Sequence, residues 1–333
     1  MQGYKNVWNF CCNFDPETRL TPDHAFKFVN KTEGHPVRLG EQSVRFELRR
    51  GDCGVSPGGY DDCAIKFADT GMTSERHELA LDPKVSPFKK VTWNTYSIFL
   101  PEDFPLYGFA HITMGQLHGD GDGAVGFQWD IGVGGGYVVN RRTGCFLPKN
   151  KNKKCSISNP ENNTQQVIPK DKLLGKWHDI VLNVNWTKKQ NGYLKQWING
   201  KLVYHYQGNT DTPREKEQFQ MGIYRGPLPS TPKNLTQIAY FDQVRFAKSC
   251  EKLKLEDLGY SCEELESQKI LTIDAIEAFD NYIAVIKNKD DGDYLLKVSG
   301  ATKKLTEKKG LKKCKEAGNT ECYVHYSGPK PQY

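Results

Sequence analysis

Apolar and polar residues alternate in short runs through most of this chain. Val44-Arg45-Phe46-Glu47-Leu48-Arg49 is the plainest case. Every second residue is apolar, which is the period of a strand with one buried face. Comparable runs at Thr95–Leu100, Phe109–Leu117, Gly136–Asn140, Trp177–Trp186, Leu194–Trp197, Gln220–Tyr224 and Ala239–Phe246 predict further strands. Asn199-Gly200, between Gln196-Trp197-Ile198 and Lys201-Leu202-Val203-Tyr204, predicts a two-residue hairpin turn. Many short strands separated by Gly/Pro-rich turns, with few helical stretches, predict an all-β fold. The expected form is a two-sheet sandwich or β-jelly roll.

The pattern changes after Cys250. Ile270, Ile273, Ile276, Phe279, Ile283 and Ile286 recur at near-helical spacing and predict a helix within Ser267–Asn288. A short strand at Tyr294–Val298, a Lys-rich amphipathic helix around Lys303–Lys315 and a last strand at Cys322–Tyr326 follow. The expected division is therefore a β-jelly-roll domain over residues 1–250 and a small α/β C-terminal appendage over residues 251–333. Lys303, Lys304, Lys308, Lys309, Lys312 and Lys313 read as a solvated helix face, with polyanion binding as the alternative.

Composition narrows the class. The 333 residues carry a formal net charge of +6, too small an excess to imply nucleic acid, though it would help steer a polyanion. No apolar run approaches a membrane span, and no secretory apolar segment opens the chain, so any leader is expected to have been removed. The ten cysteines fall mostly in near-neighbour pairs: Cys53/Cys63, Cys145/Cys155, Cys250/Cys262 and Cys314/Cys322, with Cys11/Cys12 adjacent. No C-x-x-C pair occurs, so short disulfide loops fit better than a zinc knuckle, with free buried thiols as the alternative. The disulfide reading predicts a secreted or periplasmic protein.

Four segments carry candidate chemistry: Val44–Asp52, Glu75-Arg76-His77-Glu78-Leu79, Gly115-Gln116-Leu117-His118 and Met221-Gly222-Ile223-Tyr224-Arg225. With Tyr96–Phe104, Gly175–His178, Trp197–Gly200 and Tyr240–Arg245, they resemble the jelly-roll polysaccharide lyases. That group includes heparin lyase I, glucuronan lyases and alginate lyases, and the resemblance covers roughly residues 36–248. The R-x-E-L strand of the alginate lyases is matched at Arg76–Leu79, the Q-x-H strand at Gln116–His118, and the Tyr-bearing strand at Tyr224. The resemblance implies a polysaccharide lyase that cleaves a uronate-containing acidic polysaccharide by β-elimination. It requires no cofactor, and the protein is expected to be a monomer with no nucleic-acid partner.

The chemistry explains the residue types. Removing the weakly acidic proton beside a uronate carboxylate builds negative charge on that carboxylate, and donors aimed there stabilise it. Gln116 suits this role as a neutral donor and Arg76 as a charged fork. By resemblance, Tyr224 is the main acid/base and His118 the partner base or carboxylate neutraliser. A tyrosine at its ordinary pKa is a poor base, so a nearby cation such as Arg76, Arg225 or protonated His118 would be needed to favour the phenolate. In Gln116-Leu117-His118, alternation sends Gln116 and His118 to the cleft and Leu117 to the core. His77, between Arg76 and Glu78, should point away. Arg45, Arg49, Glu78, Arg225 and Arg141 are the expected substrate-binding residues. Each of these residues, taken singly, also fits a structural pairing or a core position.

Other segments add less. Asp120 and Asp122, in Gly119-Asp120-Gly121-Asp122-Gly123, fit a turn, with structural calcium as the alternative. Gly132–Gly136 lacks the ending of a phosphate loop. Lys149–Lys154 is a basic loop between Cys145 and Cys155, and Asn162, Asn185 and Asn234 head N-x-Ser/Thr sequons. A glycoside hydrolase on this fold would carry E-x-D-x-x-E, and no E-x-D occurs. A non-catalytic carbohydrate-binding module or lectin is the other alternative. It would need the aromatics but not the Arg/Gln/His/Tyr set.

Overall fold

A computed structural model describes residues 8–11, 22–54, 61–64, 73–81, 90–106, 112–119, 125–132, 134–141, 164–210, 217–226, 235–268, 282–288, 295–300, 303–317 and 319–329. The chain divides into two compact units, Met1–Gln268 and Lys269–Tyr333.

The strands of the first unit are β1 (Trp8–Cys11), β2 (Phe26–Asn30), β3 (Gln42–Leu48), β4 (Glu75–Leu81), β5 (Val91–Phe99), β6 (Ile112–Gly119) and β7 (Val125–Ile131). They continue with β8 (Tyr137–Arg141), β9 (Thr164–Ile168), β10 (Trp177–Asn185), β11 (Tyr193–Ile198), β12 (Lys201–Gln207), β13 (Glu217–Arg225) and β14 (Gln237–Ala247). They form two seven-stranded sheets: sheet I in the order β1-β4-β13-β6-β7-β8-β9, and sheet II in the order β12-β11-β10-β5-β14-β3-β2. This is the jelly-roll sandwich that the alternation predicts. Asn199 (φ 49°) and Gly200 (φ 77°) both take the left-handed conformation between β11 and β12, as a two-residue hairpin turn demands.

The core lies between the sheets. Val44, Phe46 and Leu48 of β3, Tyr96 and Ile98 of β5 and Phe241 of β14 meet Phe127, Trp129 and Ile131 of β7 and Phe219 and Ile223 of β13. Each large apolar side chain fully buried here contributes about 1.5–3 kcal/mol. Strand alternation then commits the intervening residues to the outward faces. On sheet I those residues are Arg76, Glu78, Gln116, His118, Gln128, Asp130 and Tyr224.

The unit boundary lies at 268/269, not at the 250/251 composition shift. Leu253, Leu255, Leu258 and Leu265 pack on Trp93, Val181 and Trp197 of sheet II, which ties this segment to the sandwich. Short 3-10 turns at Glu251–Leu253 and Leu255–Leu258 and the helix α1 (Cys262–Ser267) carry these leucines. The Cys250–Cys262 disulfide closes the segment, and Trp197 Nε1 donates to Leu265 O at 3.0 Å.

The second unit holds β15 (Tyr282–Asn288), β16 (Leu295–Gly300), α2 (Lys303–Glu316) and β17 (Cys322–Pro329), with sheet order β16-β15-β17. Ile283 and Ile286 therefore lie on a strand rather than on the expected helix. Tyr282-Ile283-Ala284-Val285-Ile286 is a continuous apolar, β-branched run, a pattern that spacing alone does not separate from a helix. Residues 269–281 lie outside the described residues. Gly310 lets α2 approach the sheet, since a Cβ there would lie 2.5 Å from Ile286 Cγ1. Disulfides join Cys53–Cys63, Cys250–Cys262 and Cys314–Cys322. Cys12 and the Cys145/Cys155 pair lie outside the described residues. No helix among them is long and apolar enough to cross a membrane.

Candidate active site

Register places the outward residues of sheet I in rows. β13 runs between β4 and β6, with Tyr224 opposite both Arg76 and Thr113. The next row pairs Gly222 with Glu78, and the one beyond it pairs Gln220 with Gln116, which faces Gln128 of β7 and then Asn140 of β8. His118 pairs with Gln218 in the last row. Gly222 (φ 146°) sits at the irregularity between Met221 and Tyr224, where a Cβ would lie 2.2 Å from His77 O. Any side chain there would collide with backbone of β4, so this glycine sets how Tyr224 is presented beside Arg76.

Side chains link the first three rows. The Arg76 guanidinium lies 4.0 Å from the centroid of the Tyr224 ring. It forks onto Asp62, with Nε–Oδ2 at 2.5 Å and Nη2–Oδ1 at 2.7 Å, and its Nη1 lies 3.4 Å from Glu78 Oε2. Gln116 Nε2 donates to Glu78 Oε1 (2.9 Å) and to Gln220 Oε1 (2.9 Å). Ser74 Oγ donates to Asp62 Oδ1 at 2.8 Å, which orients the carboxylate that holds Arg76. Beyond them, Thr113 Oγ1 donates to Asp130 Oδ1 at 2.7 Å, Gln128 to Thr113, and Asn140 to Asp130.

Glu78 and Gln116 are buried, while Arg76, His118 and Tyr224 are partly exposed. Burial pushes the Glu78 carboxyl above its ordinary value, against the opposing pull of Arg76 and the Gln116 amide. Burial likewise raises the Tyr224 phenol, against Arg76 and Ser74. Two acids in contact with one guanidinium are thus held toward their protonated forms. That arrangement suits proton delivery, and the Arg76 guanidinium is the group that opposes it by favouring the ionised forms.

Of the four expected catalytic residues, Arg76, Gln116 and Tyr224 join one cluster with Glu78. His118 shares the face but lies further off. It is five residues along β6 from the Thr113 that pairs with Tyr224, about 17 Å at ~3.4 Å per residue. Leu117 is in the core and His77 points away, as alternation requires.

Three placements correct the expected substrate-binding set. Arg225, only 1% exposed, is held in an ion pair with Glu75 (Nε–Oε2 2.5 Å) and does not reach the outward face. It follows Tyr224 directly, and alternation turns it to the opposite face. Arg45 and Arg49 flank Glu47 and pair with it on the outward face of sheet II, because Val44, Phe46 and Leu48 take the core side of β3. Arg141 shares the inward face of β8 with Val139, and its guanidinium lies 4.3 Å from the centroid of the Tyr206 ring. Asp120 and Asp122 lie outside the described residues.

Sequence reasoning missed Asp62, Gln220, Gln128 and Asp130. Asp62 carries no local signal, since a disulfide loop delivers it. Gln128 and Asp130 were legible: Val125–Ile131 alternates with Phe127, Trp129 and Ile131 inward.

The family model described as polysaccharide lyase matches residues 29–245. A search of curated proteins gave no match. Among solved structures, the chain is similar to an endo-β-1,4-glucuronan lyase from the fungus Trichoderma reesei, at 15% identity and TM-score 0.48, covering 72% of this chain and 95% of that one. It is also similar to alginate lyase vAL-1 from Chlorella virus (16%, TM-score 0.43, 68% and 90% covered). A third is the catalytic domain of a glycoside hydrolase family 131 protein from Coprinopsis cinerea (11%, TM-score 0.45, 73% and 84% covered). Likenesses this weak carry no argument about substrate or mechanism.

Proposed function

The chain belongs to the polysaccharide lyase family, and from that premise we propose that it cleaves a uronate-containing acidic polysaccharide by β-elimination on the outward face of sheet I. The observation that carries this reading is the contact chain Tyr224–Arg76–Glu78–Gln116. β-Elimination needs a base for the proton beside the carboxylate, an acid for the leaving glycosidic oxygen, and donors for the charge that develops on the carboxylate.

In this reading Tyr224 handles the proton. Its phenol, protonated at rest, must first lose its proton to solvent, a step that the Arg76 guanidinium on its ring favours; the phenolate then takes the proton beside the carboxylate and, as the phenol so formed, returns it to the leaving glycosidic oxygen. Arg76 and Gln116 donate to the substrate carboxylate. A protonated Glu78 gives up its hold on both without leaving a bare buried charge. His118, beyond Gln116, binds the adjoining sugar unit. Secretion fits the three disulfides among the described residues, since such bonds persist in oxidising compartments.

The substrate's carboxylate is the element to test. Glucuronan, alginate and heparin-type polymers would each be offered intact and after chemical reduction of their carboxylates to alcohols. The reading expects chain cleavage of at least one intact polymer and none of its reduced form. Equal cleavage of both forms would remove the uronate from the mechanism.

A further inference from the structure

Behind sheet I, on the side of β4 away from Arg76, three side chains from separate segments converge. His24 precedes β2, Asp52 follows β3, and His77 lies within β4. Asp52 Oδ2 is 3.0 Å from His24 Nε2 and 3.0 Å from His77 Nε2, and the three ligand atoms all lie within 4.8 Å of one another. The two rings meet edge to face with centroids 5.7 Å apart.

His77 is the informative member. It is 1% exposed, and its Nε2 faces the Asp52 carboxylate, which His24 Nε2 meets at the same distance. A cation placed among the three would take both Nε2 atoms and one carboxylate oxygen as ligands, in place of two imidazoles crowding one oxygen. We propose that His24, Asp52 and His77 form a binding site for zinc or a similar first-row transition metal ion.

The donor set selects the metal. Two imidazoles and one carboxylate suit zinc, whereas calcium takes six to eight oxygens. With bonds of about 2.0–2.1 Å, ligand atoms around tetrahedral zinc lie about 3.3 Å apart. Both observed 3.0 Å separations need only a small expansion to reach that value. The Arg49 amide donates to Asp52 Oδ2 at 2.6 Å and fixes the carboxylate, as outer-shell groups do in metal sites. Side-chain exposures of 21% for His24 and 13% for Asp52 open one side to a water as fourth ligand. The site is structural in effect. Asp52 O accepts from Arg76 N at 3.2 Å, and the adjoining Cys53–Cys63 loop brings Asp62 to the Arg76 guanidinium. A metal ion here would pin that loop from behind.

The test uses the full chain, stripped with chelator and titrated with zinc chloride, then with calcium chloride, while bound metal and melting temperature are followed. One zinc equivalent should bind and raise the melting temperature, and calcium should not substitute for it in this role. His24→Ala, at the exposed corner, should fold and weaken zinc binding by at least about tenfold, the loss typical even of an outer-shell partner. Cobalt(II) provides a second readout on the unmodified protein, giving the intense visible bands of a four-coordinate nitrogen/oxygen site. Absence of a zinc equivalent, unchanged binding in His24→Ala, or only the weak spectrum of hydrated cobalt would each overturn the site and leave a simple hydrogen-bonded His–Asp–His cluster.

Discussion

The two outward faces of the sandwich both carry polar and charged residues, yet they treat them in opposite ways. On sheet II, the Asp179 carboxylate takes a two-pronged hold from Arg38 (Nε–Oδ1 2.9 Å, Nη2–Oδ2 2.7 Å), with Ser97 and Tyr260 hydroxyls at 2.7 and 2.6 Å. Burial raises this carboxyl, but its partners more than offset that and hold it below its ordinary value. On sheet I, Glu78 has Arg76 and Gln116 for partners and still ends above its ordinary value, because burial dominates. A raised carboxyl is not by itself the mark of a site. Asp242 on sheet II is raised too, yet three backbone amides, of Arg38, Leu39 and Gln243, cap it. What sets sheet I apart is the incompletely offset acid in contact with an arginine that also touches a tyrosine. One face spends its polar groups on holding the fold, and the other keeps them poised.

Substitutions can break this contrast, and the largest effect is expected at Tyr224. Tyr224→Phe removes the proton carrier of the proposed mechanism and should lower kcat by about 10²–10⁴-fold, read as the rate of ultraviolet absorbance growth, with the melting temperature little changed. Arg76→Lys keeps the charge but loses the fork onto Asp62, and should lower kcat by about 10²-fold. Asp179→Asn should do the reverse: about 2–3 kcal/mol of stability lost in urea unfolding, with kcat per folded molecule intact.

The pH dependence should carry opposite signs on the two faces. The depressed Asp179 contributes stability that is present above the unfolded carboxylate pKa and lost as pH falls, so Asp179→Asn should flatten the acid side of the stability profile. The raised Glu78 contributes stability that is present at low pH and lost as pH rises through its folded value. Glu78→Gln should therefore flatten the opposite side, and stability measured across pH with each variant decides it. The smallest effect belongs to Arg45→Ala and Arg49→Ala. Each should cost less than about 1 kcal/mol and leave kcat/KM within about twofold, since both pair with Glu47 on sheet II.

Much of this contrast was written in the alternation of the chain. Phe46 inward and Arg45 outward, or Leu117 inward and Gln116 outward, follow from a period of two, and so does most of the sandwich. Which sheet a strand joins does not follow, because pairing partners are distant in sequence. Arg45 and Arg49 share one face, as alternation requires, but that face belongs to sheet II, away from the Arg76–Tyr224 cluster. Arg225 shows the complementary difficulty: its neighbour Tyr224 faces outward, so alternation turns Arg225 to the other face, where it pairs with Glu75. Asp62, brought to Arg76 through a disulfide loop, leaves no periodic trace at all. Residues 251–268 changed allegiance because Leu253, Leu255, Leu258 and Leu265 bury against Trp93 and Trp197, a tertiary contact that composition does not register.

The chemistry of the cut is the most direct test. The purified protein, incubated with an intact uronate polymer that it shortens, would have its products weighed and their ultraviolet spectra recorded. β-Elimination at the Tyr224–Arg76–Glu78–Gln116 cluster predicts one new end per cut bearing a conjugated unsaturated uronate, absorbing in the ultraviolet and lighter by one water than a hydrolysis product. That chromophore should all but vanish in Tyr224→Phe. Fragments carrying an added water and no chromophore, or unsaturated ends formed at full rate by Tyr224→Phe, would contradict it.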